Sequence, residues 1–142
     1  MHTIPPFSIF SAVSELFVTA GVLFVIRRNW TRRPFPFALF LTVSLFEALV
    51  NVMYMANRSA SAASSASAEP LPTGLKIAFA AHGLLSLVAY LVFVLLGVLA
   101  YQEYKGGRYF FRERAGLTWT FIVVWFISVG SGETLFALRY LK

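Results

Sequence analysis

A chain of 142 residues that is 58% hydrophobic and 13% charged, with mean hydropathy +0.73, carries more apolar surface than a soluble domain of its size can hide. Cysteine is absent, which excludes disulfides, iron–sulfur clusters and thiolate metal sites and leaves the redox compartment open. The formal net charge of +6 has no zinc-finger spacing and no basic, aromatic-interleaved surface behind it, so no nucleic-acid partner is expected.

The first apolar segment, 7–26, is long enough to cross a hydrocarbon core of about 30 Å, which takes roughly 20 helical residues. Arg27, Arg28, Arg32 and Arg33 follow this run, and no basic stretch precedes it. It is therefore read as a retained helix and not as a signal peptide. The second segment is 35–56. After it, 57–74 holds a Ser/Ala-rich stretch ending in Glu69-Pro70-Leu71-Pro72, the composition of a mobile external linker between two helical hairpins.

The third segment, 75–101, is followed by 102–116, where Lys105, Arg108, Arg112 and Arg114 alternate with Tyr104, Tyr109, Phe110 and Phe111. That mixture predicts a loop lying in the cytoplasmic headgroup layer, against anionic lipid or, on a sharper reading, a docking partner. The fourth segment is 117–140. Long runs such as 84–100 lack the dyad alternation of a barrel. The expected fold is one all-α domain, a polytopic four-transmembrane-helix bundle with up-down-up-down order. Basic residues crowd the first and third loops, whereas the other side has Arg58, Lys76, Arg139, Lys142 and His2. The positive-inside rule then places both termini outside a multi-pass cell membrane, in a bacterium the inner membrane.

Four ionisable residues interrupt the four segments: Glu15, Glu47, His82 and Glu133. At 1.5 Å per residue, Glu15, Glu47 and Glu133 fall about 12, 13 and 10 Å below the outer helix ends, and His82 about 8–10 Å. Polar neighbours recur at helical spacing: Ser11 and Thr19 with Glu15, Asn51 and Tyr54 with Glu47, Ser86 and Tyr90 with His82. Glu133 shares a face with Trp125 and Val129 and lies beside the small residues Ser128, Gly130 and Gly132, which permit close backbone approach. Trp125 reads as core filler, and Trp30 and Trp119 as interface anchors.

Ionisable groups in hydrocarbon cost at least a few kcal/mol each, so four at one depth predict a buried polar site in the outer half of the bundle. One reading is packing: neutral carboxyls hydrogen-bonded to one another. A second is a divalent metal site (zinc, manganese or iron) with Glu15, Glu47, His82 and Glu133 as ligands and Asn51 and Ser86 behind them. No Glu-x-x-His pair exists, which argues against a dinuclear centre. A third is proton handling by Glu47, Glu133 and His82. Haem, with His82 and Met53 or Met55 as axial ligands, ranks behind these.

In the second half, Ala81-His82-Gly83 opens a long apolar helix, the basic aromatic turn Tyr104-Lys105-Gly106-Gly107-Arg108-Tyr109-Phe110-Phe111-Arg112 follows, and Trp119, Trp125 and Ser131-Gly132 come after it. On these features the chain resembles small four-helix membrane proteins of the HsmA-like and CtaM-like kind. The resemblance implies a part in terminal-oxidase maturation. Proteins of that kind carry several intramembrane histidines, so only His82 is carried over. Two functions are thus expected: an accessory subunit or assembly factor of a membrane complex that binds a metal ion or polar ligand, or a small enzyme or proton-coupled transport component acting on a lipid-like substrate. The expected partners are the lipid bilayer and other membrane subunits or further copies of the chain.

Overall fold

The computed structural model describes residues 6–64 and 72–140, and every element among them is helical. These are α1 (Pro6–Trp30), α2 (Phe37–Ser64), α3 (Thr73–Lys105), the single turn α4 (Phe110–Glu113) and α5 (Ala115–Tyr140). Pro6–Trp30, Phe37–Asn57, Thr73–Lys105 and Ala115–Arg139 are each long and apolar enough to cross a bilayer. Helix is the conformation hydrocarbon demands, because it satisfies backbone groups within the segment. His2 and Lys142 lie outside the described residues, as does 65–71, the centre of the expected linker.

Helix enters the expected linker from both sides: residues 57–64 extend α2, and α3 begins at Thr73. Residues 57–64 include no glycine or proline that would stop the helix.

The helices form a ring of neighbours: α1 packs mainly on α2 and α3 mainly on α5, while α1 also meets α5 and α2 meets α3. Aromatic contacts join the beginning of one helix to the end of another. Phe7 stacks on Tyr54 at 6.4 Å between centroids, and Phe37 on Tyr101 at 4.4 Å. The Arg139 guanidinium lies 5.6 Å over Phe79, and Trp30 meets Trp119 edge-on at 6.4 Å.

The contiguous core is aromatic at its centre. Phe93 packs against Phe40, Trp125 and Phe121 with centroids 5.4, 5.8 and 6.3 Å away. Val18, Val22 and Val25 of α1, Leu96 and Ala100 of α3 and Val129 of α5 close around it. This core lies toward the end that carries Trp30, Phe35 and Phe110. At the opposite end, 6–13, 51–57, 73–78 and 136–139 contain no buried side chain.

The loop after α3 corrects one expectation. Phe110 and Phe111 do not lie among headgroups; they are 3% and 0% exposed and belong to the core. Gly107, at φ +76, turns the chain back beneath the bundle. The buried Asn29 side chain accepts a hydrogen bond from the Phe111 N–H at 3.0 Å, and Thr118 Oγ1 donates to the Phe111 carbonyl at 2.7 Å. Lys105, Arg108, Arg112 and Arg114 stay exposed, with Arg114 paired to Glu103 at 2.8 Å.

Gly97 sits directly under the Phe40 ring, and a Cβ there would stand 2.6 Å from Phe40 Cζ, which Phe35 and Phe93 hold in place. Gly97→Ala is expected to lower stability in detergent by about 1–3 kcal/mol through overpacking, despite the roughly 1 kcal/mol that alanine contributes to helix propensity. Gly83→Ala, with open space around its Cβ, should be neutral or stabilising in the same thermal unfolding measurement.

Candidate functional site

Three of the four expected residues are brought together by the packing of α1, α2, α3 and α5. Glu15 and Glu47 line a narrow crevice with Ser86, Ala89, Trp125, Ser128 and Val129. Its inner part has room for about one water molecule. Trp125 is a fixed wall of this crevice, because its indole N–H donates to Thr19 Oγ1 at 3.1 Å. Its role as core filler is therefore accompanied by a polar tether between α5 and α1.

Glu47 is oriented along its own helix. Asn51 Nδ2 donates to Glu47 Oε1 and to the Glu47 carbonyl, both at 2.9 Å. Two more stripe residues are accounted for locally: Tyr90 donates to the Ser44 carbonyl at 3.2 Å, and Tyr54 stacks on Phe7.

His82 is held across the α3–α5 interface. Its Nδ1 lies 2.9 Å from Ser131 Oγ, and Ser131 Oγ donates to the Ser128 carbonyl at 2.7 Å. A serine hydroxyl has one proton. With that proton committed to Ser128, the bond to the imidazole requires a proton on Nδ1. The neutral ring then carries its lone pair on Nε2. That atom points to Gly132 of α5, as does the Glu15 carboxyl: a Cβ on Gly132 would stand 2.7 Å from His82 Cε1, 3.0 Å from His82 Nε2 and 3.4 Å from Glu15 Oε2. The imidazole and the Glu15 carboxyl thus converge on one bare Cα.

Glu133 is different. It lines no part of the crevice, and its Oε1 is buried without a hydrogen-bond partner among the described residues. It and Glu47 are nonetheless close enough to Glu15 to act on it electrostatically.

The expected full burial needs correction: each of Glu15, Glu47, His82 and Glu133 is half-buried, because the turns at this end of so small a bundle have too few neighbours to cover them. Among the described residues, no three His or acidic side chains are grouped as metal ligands. The physical reason is local: Asn51 engages Glu47, Ser131 engages His82, and Glu133 does not line the crevice. Met53 and Met55, the expected haem partners of His82, are 46% and 62% exposed on the outside of the bundle.

On the other side of His82, between α3 and α5, a wide depression of about 610 Å³ opens at the protein surface. Ala78, Ala81, His82 and Leu85 line it from α3, and Phe126, Ile127, Gly130, Ser131, Thr134 and Leu135 from α5. Ser128 and Ser131 were not expected as functional partners. Their spacing of three on a polar-poor helix was the available signal, but nothing in the sequence paired them with His82. Comparison of the chain with protein-family models, with curated proteins and with solved structures gives no match.

Gly132→Ala is expected to push the His82 ring off Ser131. Nitrogen-15 NMR of the imidazole should report the Nδ1–H tautomer in the parent protein and a mixture of tautomers in the variant. Gly130→Ala, whose Cβ meets open space, should leave the imidazole signals unchanged.

Proposed function

We propose that this small multi-pass membrane protein is an accessory subunit or assembly factor of a membrane complex, carrying a protonatable polar centre between its helices. The observation that carries the reading is the convergence of His82 Nε2 and Glu15 Oε2 on Gly132, with Glu47 across the crevice. An imidazole lone pair beside a carboxyl can take up a proton and return it, and in hydrocarbon such a pair is costly unless it is used. The crevice is too small for a substrate beyond a water-sized molecule, which favours an accessory role over a catalytic one. A polar ligand is preferred to a divalent metal at this centre, since the donors do not converge in threes among the described residues.

The resemblance of Ala81-His82-Gly83 and the basic aromatic turn to HsmA-like and CtaM-like proteins supports a place in respiratory-complex maturation. The second reading, a small enzyme or proton-coupled transport component using Glu47, Glu133 and His82, has one observation in its favour. His82 also borders the depression between α3 and α5, where a lipid-like molecule could reach it.

In this proposal the four long helices run up-down-up-down in a bacterial inner membrane with both termini extracytoplasmic. The chain lacks cysteine, so single cysteines report topology without background. Thr31→Cys and Gly107→Cys are expected to react with a membrane-impermeant maleimide only after the cells are permeabilised; labelling of intact cells would reverse the orientation.

Native electrophoresis of mild-detergent extracts is expected to find the chain in an assembly well above its own 15.8 kDa. Migration solely as the free chain would overturn the accessory reading. Elemental analysis of the purified protein is expected to show no stoichiometric metal. One zinc, manganese or iron per chain, lost in Glu47→Gln, would return the centre to metal binding.

A further inference from the structure

We propose that the depression between α3 and α5 binds a membrane-dissolved molecule with an apolar chain and a hydroxyl head, the head being received by Ser131 and Thr134 beside His82. This deepens the reading of the polar centre, on which it rests, by assigning its ligand a chemistry.

The shape suits such a molecule. The depression follows residues 78–85 of α3 and 126–135 of α5, a length of about 10–14 Å at helical rise. Its volume of about 610 Å³ is that of a ligand site, and Leu85, Phe126 and Ile127 make its walls apolar.

The polarity of the head follows from a count of protons. Ser131 Oγ donates to the Ser128 carbonyl at 2.7 Å, and Thr134 Oγ1 donates to the Gly130 carbonyl at 2.7 Å. Each hydroxyl has a single proton, so both present only lone pairs to the depression. His82 Nδ1 must bring its own proton to Ser131, which uses that donor as well. Its Nε2 is turned to Gly132 and Glu15 and adds nothing to the depression. The two hydroxyls that line the depression therefore offer acceptors and no free donor. In hydrocarbon an acceptor gains nothing from a ketone, ester or ether, whereas a hydroxyl supplies the missing proton. The surrounding apolar walls argue for a neutral donor over a charged one.

The test uses the full chain in lipid nanodiscs with a diazirine-bearing long-chain alkanol and, in parallel, the methyl ether of the same probe. After irradiation, adducts are mapped by mass spectrometry. The alkanol is expected to label Leu85 and Phe126 about tenfold more than the ether, one hydrogen bond's worth of preference. Ser131→Ala combined with Thr134→Val should abolish that preference while leaving the apolar walls in place. Gly130→Trp, whose side chain enters open space, should block labelling by both probes.

Equal labelling by alkanol and ether would overturn the hydroxyl assignment. Adducts spread equally over other exposed positions, such as Leu91 and Val123, would overturn the site itself. Disulfide-linked dimers of Gly130→Cys chains would show that a second copy occupies the depression instead, which also overturns the proposal. Native electrophoresis does not depend on the depression. A normal assembly together with any of these three results rejects the ligand alone, whereas loss of the assembly rejects the accessory reading.

Discussion

Close approach at glycine is the constraint on which this bundle depends. Lipid tails are as apolar as the side chains they touch, so exclusion of water does not press membrane helices together; contact has to. Gly21 of α1 faces Val43 of α2, and a Cβ there would stand 2.6 Å from Val43 Cγ2. Gly97 of α3 receives the Phe40 ring of α2. Gly132 of α5 receives His82 of α3, with Glu15 of α1 beside it. Each contact joins a different set of helices, and between them they fix the ring. The third is also the polar centre, so the packing that closes the bundle and the geometry that orients the imidazole are one feature.

Polar economy explains the rest of the interior. Asn29, Thr118, Thr19 and Trp125 each make a bond that ties one stretch of chain to another. Ser128, Ser131 and His82 form a chain of bonds whose direction is set by a single serine proton. Among the described residues, the buried Oε1 of Glu133 has no hydrogen-bond partner, a condition it shares with Arg28 Nε, Asn29 Nδ2 and Ser44 Oγ.

Much of the architecture was legible in the sequence, because hydrophobic length and charge placement are direct physical signals in a membrane protein. The segments 7–26, 35–56, 75–101 and 117–140 correspond to the apolar parts of α1, α2, α3 and α5. Periodicity alone also paired Glu47 with Asn51, since a contact four residues apart needs no tertiary information. The burial of Phe110 and Phe111 was not legible. It depends on Asn29, 82 residues earlier than Phe111, and a basic aromatic loop looks alike whether its rings lie on lipid or under a bundle. Sequence spacing put the four ionisable residues at one expected depth, but depth says nothing of which residues share a crevice: Glu15 and Glu47 line one and Glu133 does not.

The apolar core ends near the level of Val18, Ala89 and Val129, and the helical turns beyond it have bare flanks. In a bilayer, acyl tails would stand where side chains are missing. Chain length and saturation of the lipid would then bear on the spacing of these turns more than on the half of the bundle that holds the core. A short-tailed detergent would then be a change of building material for one half of this molecule and merely a change of surroundings for the other.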